Sequence, residues 1–243
     1  MKNYFLFTIL LISIQAAFAQ DSLKHSILTV GAGLNYILNK DEFHSNYTYK
    51  GINPTLHIAY SRDKPKGIHA IDAKFSIGKF KSIVSPMGKN YIHMLNYSYL
   101  FKIIKSPKLL LAAGGGVGTF ITSVNYIPNI DFPRSNLTGN ISLKFTAKIA
   151  YKINHKSIVS LSSNIPIAGK VYRPDFDYNG KTFLGNNFIM RNPAISINLG
   201  YEYKLNSKYS FSLNYTYSFF SYHQPRSVAI MQNGFHLNIK RTF

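Results

Sequence analysis

Residues 208–220 read KYSFSLNYTYSFF. Tyr209, Phe211, Leu213, Tyr215, Tyr217 and Phe219 occupy alternate positions, and Ser210, Ser212, Asn214, Thr216 and Ser218 fill the places between them. Side chains on a strand point to opposite faces with period two, so this stretch predicts a strand with one oily, aromatic face and one wet face. After a break at 221–229 the pattern returns in IMQNGFHLNIKRTF, the last residues of the sequence. Met231, Phe235, Leu237, Ile239 and Phe243 share one face there, opposite Gln232, Gly234, His236, Asn238, Lys240 and Thr242.

The same alternation recurs upstream. Segments at 27–38, 51–61, 68–80, 90–103, 108–122, 137–152, 157–167 and 194–204 each carry it, which gives about ten strands with the two terminal ones. The segment at 108–122 is the least regular, because Leu110 and Phe120 interrupt its small-residue face. It leaves open an eight-strand arrangement with one hairpin outside. The connections run alternately long and short. RDKPKG at 62–67, IKSP at 104–107, INHK at 153–156 and LNS at 205–207 are the short ones, and 168–190 reads as the longest loop.

Short turns at one end and longer loops at the other are the pattern of an antiparallel up-and-down barrel in the bacterial outer membrane. Closure leaves no unpaired backbone in lipid, which an open sheet cannot achieve. The expected fold is therefore an all-β transmembrane barrel with both termini periplasmic. Aromatic residues gather near the strand ends, as interfacial girdles do: Tyr99, Phe101, Tyr151, Tyr201 and Phe211 toward the short turns, Tyr36, Tyr91 and Tyr217 toward the loops.

The beginning of the sequence fits export. Lys2 precedes an apolar core at 4–14, and Ala17-Phe18-Ala19 fits a small-residue cleavage site. Residues 1–19 are thus expected to be a signal peptide, and 20–243 the barrel domain. With no Cys, a disulfide scaffold is excluded.

The whole of 20–243 resembles the small outer-membrane β-barrel (porin-like) families of Gram-negative bacteria. The terminal HLNIKRTF, with Phe235, Leu237, Ile239 and Phe243 on its apolar face, looks like the signal read by the barrel-assembly machinery. Richness in Lys, Asn and Tyr is similar to barrels of the PorT type. The resemblance implies fold, outer-membrane location and assembly route, and no particular activity.

Candidate chemistry falls in two places. The wet faces bring Asp72, Lys74, Lys144, Lys148, Glu202 and Lys240 into the lumen, with His57 and His236. They make either an anion-selective constriction or an internal salt-bridge plug, and a barrel this narrow, largely filled by side chains, favours the plug. The second place is outside. Loops 123–136 and 168–190, the latter with Tyr172, Arg173, Asp175, Asp177 and Tyr178, carry residue types that make recognition surfaces.

An enzyme is not expected. Asp175 and Asp177 with His223 could in principle form a rim hydrolase, but loop acids at that spacing are ordinarily solvated. No set has metal spacing and no cofactor is implied. Gly114-Gly115-Gly116-Val117-Gly118 lacks the Lys-Ser/Thr pair and the helix of a phosphate loop, and reads as close backbone approach.

The formal charge is +19, yet the basic residues form no patch or helix that would mark a nucleic-acid binder. Those near the loops suit lipopolysaccharide phosphates. The expected role is an envelope component, either a narrow channel or a secretion-associated barrel. The alternative is a surface-binding protein.

Overall fold

In the computed structural model, the described residues are 26–42, 47–82, 88–126, 135–174, 182–188, 191–223 and 227–243. The expected signal peptide lies outside them. The strands are β1 (Ser26–Asp41), β2 (Thr48–Asp63), β3 (Gly67–Phe80), β4 (Gly88–Lys105), β5 (Leu109–Tyr126), β6 (Ser135–Lys152), β7 (Ser157–Pro174), β8 (Thr182–Phe188), β9 (Ala194–Lys204), β10 (Tyr209–Tyr222) and β11 (Val228–Thr242).

Each strand pairs antiparallel with its neighbour, and β1 pairs with β11 from Ile27↔Thr242 to Asp41↔Val228, so the sheet closes. The Phe243 backbone N–H donates to the Ser26 carbonyl at 2.9 Å and finishes the seam. Both ends of the barrel's chain therefore lie at the short-turn end.

Eleven segments make ten barrel positions. β8 pairs with the far part of β7, Ala168↔Phe188 to Pro174↔Thr182, while β9 pairs with its near part, Ser157↔Tyr203 to Asn164↔Ser196. β8 and β9 are one wall strand interrupted between Phe188 and Ala194. Within the interruption the backbone N–H groups of Arg191 and Asn192 both donate to the Phe188 carbonyl, at 3.0 and 2.9 Å. Most of the stretch read from sequence as a loop at 168–190 is thus barrel wall.

The reason that reading fell short is a bulge. Leu143 faces Ala168 and Lys144 faces Pro166, which leaves Ile167 as an extra residue on β7. A one-residue insertion reverses which residues face inward. Before it Ser160, Ser162 and Asn164 line the lumen. After it Val171 and Arg173 are fully buried, and Tyr172 is exposed.

β5 itself is continuous: each residue from Leu110 to Tyr126 has a partner on β4, and its pairing with β6 runs without a break. A register shift near Ile103 belongs to β4, between Lys102 and Ile104. Leu110 and Phe120 are simply inward-facing apolar residues that pack against the two interior clusters.

The oily faces point out. Leu34, Ile52, Ile141, Leu199, Leu213 and Leu237 are all exposed, Leu237 at 70%. The wet faces point in, where Asn53, Ser76, Asn90, Ser212 and Asn238 are buried. A soluble barrel has the opposite arrangement. This molecule is an outer-membrane β-barrel in which the apolar surface stands in lipid. Outside at the short-turn end lies a belt of Phe101, Tyr151, Tyr201, Tyr203, Tyr209 and Phe211, all exposed.

Candidate functional site in the barrel lumen

The interior is layered. At the long-loop end apolar side chains join the inward face: Ile37, Tyr49, Phe80, Ile92, Val124, Val171, Phe220, Tyr222, Val228 and Ile230 pack as one buried cluster, with Met94 and Phe120 against it, among buried Asn39, Asn90 and Thr122. The Phe120 and Phe220 rings meet at 5.7 Å. This cluster forms an apolar plug inside the barrel toward the long loops. Beside it Arg173 donates to the Asp41 carboxylate at 2.6 Å, with the guanidinium side chain fully buried.

Sequence reasoning expected a salt-bridge plug and missed this apolar one. Its signal was present as doubled apolar residues at the loop-side ends of strands, such as Tyr36-Ile37, Tyr91-Ile92, Phe219-Phe220 and Ile230-Met231. Such a pair puts one apolar side chain in lipid and one in the lumen.

Below the plug the lining turns polar around a cavity of about 250 Å³. Five of the six residues of the lumen charge cluster line it: Asp72, Lys74, Lys144, Lys148 and Lys240. The sixth, Glu202, accepts from Lys240 at 2.5 Å and from the Ser210 hydroxyl at 2.9 Å. Asp72 accepts from the Asn96 amide at 2.7 Å and lies 3.7 Å from His57 Nε2. Lys144 donates to Asn96 Oδ1 at 2.8 Å, and Lys74 reaches Thr216 Oγ1 at 3.5 Å.

Two long-range bonds cross a strand, and glycines permit both. Lys144 on β6 reaches Asn96 on β4 by lying over β5, where Gly116 and Gly118 face inward. A Cβ on Gly118 would stand 2.5 Å from Asn96 Oδ1 and 3.6 Å from Lys144 Nζ. His57 Nδ1 on β2 pairs with Asn238 Oδ1 on β11 at 2.9 Å across Gly31 of β1, where a Cβ would strike the Asn238 amide. The glycine-rich run 114–118 is therefore a floor for a side-chain bridge, in line with the close approach read from sequence.

His236 is the outlier of this layer. It is 2% exposed, its ring lies 6.4 Å from that of His57, and neither ring nitrogen has a hydrogen-bond partner among the described residues. Toward the short-turn end, Ile68, Leu100 and Ala112 form a second apolar cluster against the β3–β5 side of the wall. Lys102 there pairs with Asp63.

The residues proposed from sequence for external recognition separate. Tyr172 is exposed on the outer face of β7. Arg173 points into the barrel, and Asp175, Asp177 and Tyr178 lie outside the described residues. At the rim, Glu42 accepts from the Ser227 backbone N–H at 3.3 Å, and that bond holds its carboxyl below the usual carboxylate range. His223 Nδ1 lies 3.4 Å from the Ser227 hydroxyl. Phe235, Leu237 and Ile239 are all exposed on the outer face of β11, and Phe243 follows them with its ring under the Arg241 guanidinium at 4.7 Å.

No protein-family model and no curated protein matches the sequence. Solved structures do match in shape. The outer membrane protease OmpT from Escherichia coli is similar at a TM-score of 0.57 with 9% sequence identity, over 91% of this chain and 98% of that one. The translocator domain of the autotransporter NalP from Neisseria meningitidis gives a TM-score of 0.49 at 8% identity, over 99% and 96% of the two chains. Neisserial surface protein A gives 0.40 at 10% identity, over 89% and 97%. At such identities the likeness to OmpT is one of fold alone.

Proposed function

We propose that this chain is a sealed outer-membrane barrel, an envelope component that acts through its rims and partners rather than as an open pore or a rim hydrolase. The observation that carries this reading is the apolar plug. Ile37, Phe80, Ile92, Phe220, Tyr222 and Ile230 are buried against one another across the long-loop mouth. Passing such a cluster strips water from a hydrated ion, and burying the ion there without partners is costly. In this reading the short, lysine-bearing turns and both chain ends face the periplasm, and the longer loops face outward. Exposed Lys40, Lys89, Lys170 and Arg191 near the loops suit lipopolysaccharide phosphates. The composition supports grouping the chain with PorT-type, secretion-associated barrels, and the outward face of β11 supports recognition by the barrel-assembly machinery.

Single-channel recording on the refolded protein in planar bilayers tests the sealed state. The wild type should give no discrete steps. Phe220→Ala with Tyr222→Ala should open small ones. Steady conductance by the wild type would overturn the sealed reading in favour of a narrow channel.

A further inference from the structure

We infer that the lumen cavity is a binding site for a small dianion, such as a phosphate or a short dicarboxylate. The charges in the layer do not balance. Lys74, Lys144, Lys148 and Lys240 face two carboxylates, Asp72 and Glu202, which leaves an excess of two positive charges. Both carboxylates are already engaged: Glu202 by Lys240 and Ser210, Asp72 by Asn96 with His57 nearby. Lys74 and Lys144 each have one polar contact, to a neutral side chain, and Lys148 has none within hydrogen-bond distance among the described residues. An ammonium group has three donors, so most of the donors here remain unspent.

Water filling the cavity would satisfy those donors. It would not neutralise the excess charge inside a barrel that is surrounded by lipid, where unpaired buried charge is expensive. An anion does both. His236 adds an independent sign: a buried ring on the cavity wall with neither nitrogen bonded among the described residues. One ring nitrogen donates in either tautomer, and both do when the ring is protonated.

The size fits as well. At about 250 Å³ the cavity has room for a small oxyanion with several waters. The plug bars the long-loop end. The lining runs down to Lys148 and Lys240, near the ends of β6 and β11, so exchange takes place from the short-turn end.

Calorimetric titration of the detergent-purified barrel with inorganic phosphate, and separately with succinate, tests the site. Saturable binding of one dianion per chain is expected with at least one of the two. Lys74→Gln with Lys144→Gln should weaken it at least tenfold, and Asp72→Asn should tighten it severalfold. Lys108→Gln, exposed in the short turn between β4 and β5, should leave it unchanged. Heat-shifted gel mobility reports that each variant is folded. If the double variant does not fold, the Asp72→Asn result decides alone. No saturable binding of either anion, binding that survives in folded Lys74→Gln/Lys144→Gln, or no tightening by Asp72→Asn would overturn the site.

Discussion

Placing a charge at Leu237 tests the outward face of the barrel. Leu237 is 70% exposed and sits between Ala32 of β1 and Leu213 of β10. It lies five residues before the end of β11 at Thr242. With a rise of about 3.3 Å per residue and a tilt near 40°, that is about 13 Å of height, half of an apolar band roughly 25 Å tall. Leu237 therefore stands near the bilayer midplane. There an arginine costs about 2–4 kcal/mol, and near an interface about 0–1 kcal/mol. Leu237→Arg should lower the folded-to-unfolded ratio roughly 30- to 900-fold. Leu205→Arg, in an exposed short turn, is the matched control and should be nearly silent. Urea titration of protein folded into short-chain phosphatidylcholine vesicles, followed by the heat-dependent gel shift, measures both. Equal and small effects would mean that Leu237 does not face lipid, and the assignment of faces would be refuted.

Other perturbations separate the parts of the interior. Arg173→Ala removes the guanidinium from the buried Asp41 carboxylate and should cost about 3–5 kcal/mol in the same urea titration, whereas Arg173→Leu with Asp41→Leu should recover most of the loss. Gly118→Val drives a branched side chain into the Asn96–Lys144 bridge and should destabilise by about 1–3 kcal/mol. Gly115→Val, on the outer face with its nearest neighbour 3.6 Å away, should be tolerated. Deleting Phe243 removes the backbone bond to Ser26 and the last outward aromatic residue, so it should lower the yield of heat-modifiable barrel in membranes without making the protein soluble.

Much of the wall was legible because its rule is local. Lipid and lumen impose opposite chemistry on alternate residues, and runs such as 209–219 and 235–239 write that rule without exceptions. The pairing of short turns with long loops, and hence closure, followed from spacing. What was not legible depended on what lies across the barrel. Strict alternation assumes a wet lumen, and the plug residues Phe80 and Phe220 break it because apolar neighbours from distant strands fill the space there. The bulge at Ile167 shifts the phase by one residue, so the outward face of β7 before it becomes the inward face after it, and Arg173 looked like a loop residue. The six charges Asp72, Lys74, Lys144, Lys148, Glu202 and Lys240 were named from sequence. Their partners, Asn96 for Lys144 and Asn238 for His57, sit two strands away and leave no mark in spacing.

The most direct test of the architecture uses the absence of native Cys. Single cysteines placed in turn at residues 233–239 of β11, each carrying a nitroxide, can be read in bilayers by oxygen and by a water-soluble relaxation agent. Oxygen accessibility should peak at Phe235, Leu237 and Ile239 and fall at Gly234, His236 and Asn238, with period two, and the water-soluble agent should stay low at the peaks. A flat profile, or peaks at the even positions, would contradict a barrel that turns this face to lipid.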